Sequence, residues 1–283
     1  MNRNAHHRKA QDPSTVTDSR PSLLIIDPQN DFCDIPGAAL PVPGADADMR
    51  RLAALIDARG AALDAITITL DSHQRLDIAH PGFWQRADGT PVAPFTTITA
   101  AQLRAGEFRP RDALALPRAQ AYLDALEARG RYTLMVWPVH CEIGSWGHNL
   151  HAAVQAAVAA WQERRLRPVH YVIKGMNPWT EHYSALQAEV PDPADPDTAL
   201  NRALLARLDA SAELWIAGEA SSHCVRATVE HLAAHLPSGR LDKLVLIEDA
   251  MSPVAGFETQ AREFLAAMRA RGLRVTRCAE LGA

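Results

Sequence analysis

A thiol, an ammonium and a carboxylate within reach of one another make an activated nucleophile, and this 283-residue chain offers all three as Cys224, Lys174 and Asp27. Cys224 opens a run of helical period. At a helix N-terminus beside a lysine, a thiol pKa falls from about 8.5 and supplies thiolate near neutrality. A carboxylate in hydrogen-bond reach takes the thiol proton and later returns it to a leaving amine, the role read for Asp27. Asp71-Ser72-His73 sets a carboxylate and an imidazole on one side of an extended segment, where both can grip one divalent ion, and His140 would complete three protein ligands. Three ligands leave positions open, as catalytic rather than structural sites do, and one oxygen with two nitrogens suits zinc, iron or manganese alike. His80 is either a fourth ligand or a loop histidine before Pro81, and the loop reading is preferred. Cys141, directly after His140, is read as packing inward.

Short apolar runs alternate with stretches of helical period, which predicts an α/β fold with a doubly wound, mostly parallel sheet in a three-layer α/β/α arrangement. Candidate strands are Ser22–Asp27, Asp64–Leu70, Arg131–Trp137, Val169–Ile173, Glu213–Ala217, Lys243–Glu248 and Leu273–Arg277. Leu150, Val154, Val158 and Trp161 mark one helix face, and Val225, Val229, Leu232 and Leu236 another. In such sheets ligands bind beyond the carboxyl ends of the strands. Asp27, Asp71, His73, His140, Lys174 and Cys224 all follow predicted strands. Singly each has an ordinary explanation: Asp27 as a turn cap, Lys174 as a solvated strand end, Cys224 as a small buried hydrophobe. Their convergence on one sheet edge favours chemistry. Residues 1–20 are polar and read as a disordered tail without a secretory apolar core, and 21–283 as one domain. The proline-dotted stretch 81–130 is too long for a structureless loop, so it should form an inserted lobe with helices such as Ala119–Ala128.

A formal net charge of −4 and no Lys/Arg block exclude a basic field for nucleic acid or anionic membrane, and no run reaches membrane-spanning length. A small neutral or anionic molecule is the expected partner. Four scattered cysteines without a C-x-x-C pair fit reduced thiols in the cytoplasm.

The motifs resemble the isochorismatase-like cysteine hydrolases, and within them the nicotinamidase (pyrazinamidase) branch. Asp27-Pro28-Gln29-Asn30-Asp31-Phe32 is similar to the family's D-x-Q-N-D-F, Leu70-Asp71-Ser72-His73 to its metal motif, and Trp137-Pro138-Val139-His140-Cys141 with Gly144 and Gly147 to W-P-x-H-C-x-x-G-x-x-G. Lys174-Gly175 with Tyr183-Ser184, then Gly218-Glu219-Ala220-Ser221-Ser222-His223-Cys224-Val225, complete the match, in family order from about Ser22 to the C-terminus. The resemblance implies the isochorismatase-like hydrolase fold and thiolate attack by Cys224 on a small carboxamide. Ammonia would leave, and water would hydrolyse the acyl-thioester. It implies a cis peptide between Glu219 and Ala220, an oxyanion hole from the Ala220 and Cys224 amides, and pocket walls of Phe32, Trp137, Tyr183 and His223. It also implies a metal that orients the substrate ring, and a homo-oligomer.

Three features depart from the family pattern. Cys33-Asp34-Ile35-Pro36 stands where a glycine pair is usual, an acidic Glu219 stands at an aliphatic position and must find solvent or a partner, and 81–130 is inserted. The leading expectation is therefore a nicotinamidase serving pyridine-nucleotide salvage. The alternatives are an amidase for another small carboxamide or ureido compound, and a non-catalytic module, which the intact Asp27, Lys174 and Cys224 disfavour. A pyrophosphate-binding Rossmann module lacks its glycines here.

Overall fold

The structure, a computed structural model, describes residues 20–282. The expected tail, apart from Arg20, lies outside the described residues. Among these, ten strands form in chain order: β1 (Pro21–Ile26), β2 (Ile66–Asp71), β3 (Trp84–Arg86), β4 (Thr96–Ile98), β5 (Phe108–Pro110), β6 (Leu134–Val136), β7 (His170–Lys174), β8 (Glu213–Gly218), β9 (Leu244–Ile247) and β10 (Arg274–Thr276). Six of them make one parallel sheet in the order β10-β9-β8-β1-β2-β7. Leu23 to Ile26 and Leu244 to Ile247 are wholly buried, the continuous apolar runs that a sheet covered on both faces requires.

The chain steps outward from β1 to β2 and β7, then returns across the sheet to β8 and steps out the other way. Parallel crossovers are right-handed, so this reversal sends the connecting helices to the opposite face. Ala45–Arg59 and Ala152–Arg165 pack together on one side. Cys224–His235 and Glu258–Ala270 follow β8 and β9, in the half of the sheet wound in the opposite direction. The expected three-layer, doubly wound fold is present. Its switch point lies between β1 and β8, the place where such sheets open a crevice for ligands.

One expected strand sits elsewhere. Within 131–137 only Leu134–Val136 is extended, and it pairs antiparallel with β4 outside the central sheet. The position beside β2 goes to β7, in register from Thr67 with His170 to Asp71 with Lys174. A short apolar run reads as a strand of any sheet, and Pro138, with no N–H, ends this one early.

The stretch between β2 and β6 is structured, as its length demands. Pairs β3·β5 and β4·β6 and the helices Ala100–Arg104 and Leu116–Ala128 surround a cluster of their own, including Trp84, Ile98, Leu103, Phe108 and Leu123. Thr99 starts the shorter helix with a capping box to Gln102. No helix among the described residues is long and apolar enough to cross a membrane.

Gly218 closes β8 at φ 119°, where an added Cβ would lie 1.9 Å from the Ile26 carbonyl oxygen. Only glycine lets the two strands meet there. Gly218→Ala is expected to cost about 2–4 kcal/mol in urea unfolding; a wild-type midpoint would contradict the close approach.

Candidate active site

Asp71 and Lys174 face one another in register at the ends of β2 and β7. Neighbouring strands run about 4.8 Å apart, so the two side chains meet without reaching. Lys174 Nζ lies 2.9 Å from Asp71 Oδ1 and 2.9 Å from Asp27 Oδ2 at the end of β1. It also donates to the His182 carbonyl at 3.0 Å and stands 3.7 Å from Cys224 Sγ. A strand inserted between β2 and β7 would have held the ammonium one spacing away. Asp27, at φ 45°, accepts through Oδ1 from Thr69 Oγ1 at 2.5 Å. Asp27, Lys174 and Cys224 are all buried.

These charges do not balance: one ammonium serves two carboxylates. Burial works against the Lys174 charge, but Asp27 and Asp71 hold its pKa well above the ordinary lysine value. Burial raises the Asp27 pKa, and Lys174 opposes it. The Cys224 thiol is likewise pushed up by burial. Lys174 pulls it down, while Asp27 and Asp71 counter that pull. This corrects the expectation of a ready thiolate. The ammonium is already shared, so the thiol keeps its proton and Asp27 is the group that can remove it.

Cys224 is the first residue of the helix Cys224–His235. The Ala220 carbonyl accepts the N–H groups of His223 and Val225 at 3.0 and 3.1 Å, which folds the turn before it. The cis peptide implied between Glu219 and Ala220 is present. Glu219 does not reach solvent; it is buried against Ser252 and Asp48.

Three histidines form a second cluster, of which His140 lines the cavity in front of Cys224 together with Asp71. Ligand atoms of His73, His80 and His140 lie within 4.8 Å of one another, all buried. His80 therefore belongs to the cluster, against the preference for a loop histidine; only the fold of 74–80 returns it to His73. Asp71 Oδ2 lies 3.0 Å from His73 Nε2 and 3.4 Å from His140 Nε2. The opposite nitrogens are engaged: His73 Nδ1 is 3.1 Å from Asp77 Oδ2, and His140 Nδ1 is 2.8 Å from the Pro138 carbonyl. With N–H donated outward to these acceptors, each ring would turn a lone pair toward the Asp71 oxygen. Burial opposes charge on His73, but among the protein's own groups Asp71 and Asp77 outweigh it and hold its pKa well above the ordinary value. Lone pairs facing a carboxylate call for a cation between them, so a divalent metal fits the donor set. Burial and the neighbouring His73 and His140 push His80 down to about 2, which keeps it a neutral donor.

Phe32, Trp137, Tyr183 and His223 line the cavity in front of Cys224, with Leu40 and Val254 closing it. Trp137 Nε1 donates to Tyr183 Oη at 3.0 Å, and both rings meet His223 edge-on at 5.2 and 5.4 Å. The cavity is narrow, about 20 Å³, room for a water, so its walls must part for any larger ligand. Sequence reasoning missed Glu181, two residues before Tyr183. Its carboxyl is buried on this cavity, Oε2 has no partner, and burial raises its pKa to about 7. A buried carboxylate has no periodic signature, so nothing in the sequence flagged it.

The opening motif supports the site from behind. Gln29 clamps the Asp71 backbone, with Nε2 donating to the carbonyl at 2.8 Å and Oε1 accepting the N–H at 2.7 Å. Asn30 Nδ2 donates to the Trp146 carbonyl at 2.9 Å, and Asp31 Oδ2 accepts the Cys141 N–H at 2.7 Å. Asp31 lies against Gly147, where a Cβ would fall 2.0 Å from that same oxygen. Cys141 is buried, as expected, and all four cysteines are unpaired.

A parallel sheet in this order with its reactive groups at the switch point has the isochorismatase-like hydrolase fold. Among solved structures the chain is similar to the yeast nicotinamidase bound to the inhibitor nicotinaldehyde, with a TM-score of 0.63 and 21% identity over 91% of this chain and 99% of that one. It is similar also to the Acinetobacter baumanii nicotinamidase and pyrazinamidase, with TM-score 0.61 and 19% identity over 93% and 98%. The Pyrococcus horikoshii pyrazinamidase in complex with zinc gives 0.52 and 19% over 91% and 99%. At these identities the likeness establishes the fold. No protein-family model matches the chain, and no curated protein does.

Lys174→Met leaves two buried carboxylates without their cation and is expected to cost about 3–5 kcal/mol at neutral pH. The wild-type contribution is full below the ordinary lysine pKa, about 10.4, and is lost as pH rises through the higher folded value. In the variant the carboxylates take up protons, so its deficit shrinks as pH falls. Urea midpoints at acid and neutral pH test this; equal midpoints at neutral pH would remove the ion pair from the account.

Proposed function

We propose that the protein is a metal-dependent cysteine amidohydrolase whose substrate is nicotinamide, converted with water to nicotinate and ammonia. The observation that carries the reading is the buried contact set in which Lys174 Nζ touches Asp27, Asp71 and Cys224 Sγ beside a three-histidine cluster. Cys224 Sγ attacks the carboxamide carbon while Asp27 takes the thiol proton. The Ala220 and Cys224 N–H groups receive the developing oxyanion, a contribution of roughly 3 kcal/mol per donor in other hydrolases. Asp27 then passes its proton to the departing amine, and ammonia leaves with the C–N bond electrons. The same carboxylate next takes a proton from water as it attacks the thioester; the C–S bond breaks with its electrons on sulfur, Asp27 returns the proton to the Cys224 thiolate, and the carboxylic acid is released. Lys174 holds Asp27 in place throughout.

Asp71, His73, His80 and His140 would hold one zinc, iron or manganese ion. Bound there, it supplies a Lewis-acidic centre that can orient a ring nitrogen. Phe32, Trp137, Tyr183 and His223 supply aromatic walls for such a ring. Pyridine-nucleotide salvage in the cytoplasm, by a homo-oligomer, is the setting this reading assigns. A second reading rests on Glu181: its unpartnered oxygen on the cavity is suited to an extra N–H donor, as in a ureido compound.

Ammonia release from nicotinamide and a panel of carboxamides and ureido compounds decides between them. Nicotinamide turnover should fall at least roughly a thousandfold in Cys224→Ala and disappear after chelation, returning with added metal. Turnover of a ureido compound but not nicotinamide would replace the substrate, and turnover indifferent to Cys224 would sink the mechanism.

A further inference from the structure

Glu219 stands one residue before Ala220 and is wholly buried. Its Oε2 accepts the Ser252 N–H at 3.1 Å. Oε1 meets no N–H or O–H donor, and the carboxyl of Asp48, 3% exposed on the helix Ala45–Arg59, is buried beside it, the two acids meeting at Ser252, whose N–H goes to Glu219 and whose hydroxyl goes to Asp48. Two carboxyl groups share a hydrogen bond only when a proton lies between them.

Counting donors shows which group keeps it. Asp48 receives Ser252 Oγ at 2.6 Å and the Arg51 guanidinium, so its negative charge is met. Glu219 receives a single backbone N–H. Asp34 and Cys33, from the loop before the helix, face the pair and bring no positive charge. Arg51, a cation against the pair, is already paired with Asp48.

We propose that Glu219 is a positioning residue which, as a neutral carboxylic acid, donates to Asp48 and ties the nucleophile turn to the helix Ala45–Arg59. The turn from Gly218 to Cys224 carries both amides assigned to the oxyanion, so the function rests on that reading. Other ties surround it: Glu219 N–H to the Ile26 carbonyl at 2.8 Å, Ser221 N–H to the Ser252 carbonyl at 2.9 Å, and Val254 N–H to Ser222 Oγ at 3.1 Å. The Glu219 tie alone among these depends on a removable proton. Burial, and then Asp48, raise the Glu219 pKa well above the ordinary carboxylate value. A raised folded pKa means that the tie holds through acid and neutral pH and is lost as pH climbs through that value.

Infrared difference spectra of the full chain test the shared proton directly. At neutral pH the wild type should show a protonated carboxylic acid band that Glu219→Gln removes. Asp48→Asn should remove it too, since an amide there donates to Glu219 and lets it ionise. A band absent from the wild type, or surviving in Glu219→Gln, overturns the proposal. In kinetics, Glu219→Ala should lower kcat about tenfold or more with KM nearly unchanged, and Glu219→Gln, which keeps a donor toward Asp48, should recover most of it. A folded Glu219→Ala with wild-type kcat also overturns it. The spectra need no substrate, so an expected band in a protein inactive on every amide rejects the amidase reading and leaves the shared proton standing.

Discussion

Lys174 is the point on which the site depends, because it is a buried cation with two buried carboxylates and a thiol around it. Taking three ions out of water costs several kcal/mol each. Against this, two contacts at 2.9 Å return roughly 5–6 kcal/mol apiece at an effective dielectric near 20. The sum is close to balance, so the cluster adds little net stability while leaving it one partner short is severe. It also leaves the site net negative, which explains why the thiol keeps its proton and why the adjoining histidines are arranged to accept positive charge. The lysine contact set at Cys224 and the histidine cluster are joined through Asp71, whose Oδ1 serves the lysine and whose Oδ2 faces the imidazoles.

That geometry follows from strand order. With β1, β2, β7 and β8 side by side, the residues ending them fall within side-chain reach by strand spacing alone, and the reversal of winding between β1 and β8 opens the crevice beside them. The support is backbone-directed: Gln29 grips the Asp71 peptide and Asp31 the Cys141 peptide, so these residues of the opening motif act as scaffold. The segment between β2 and β6 keeps an apolar cluster of its own, and His80 and His140 stand on either side of it, so its folding brings two imidazoles together across 60 residues.

The cavity in front of Cys224 is closed down to the size of a water, with Leu40 and Val254 joining the aromatic walls. A narrow pocket strengthens the electrostatics of the buried cluster, and a ligand larger than a water enters only when its walls move. Glu181 and Glu219 are the two unusual acids nearby. One has an oxygen without a partner on the cavity, and the other shares its proton behind the nucleophile turn.

The local patterns determined a good deal. Continuous apolar runs marked all six central strands, and motifs at strand ends named Asp27, Asp71, His73, His140, Lys174 and Cys224, because strand period and reactive residue type are written in consecutive residues. Only the tertiary structure decided that Leu134–Val136 leaves the central sheet, which puts Lys174 directly beside Asp71; an apolar run carries no record of its pairing partner. It decided that His80 joins the histidines, since closeness across some sixty residues is a property of the folded lobe. It decided the charge state too: the sequence placed an ammonium near a thiol, but whether that charge is free or shared depends on how many carboxylates the fold buries with it, and here there are two.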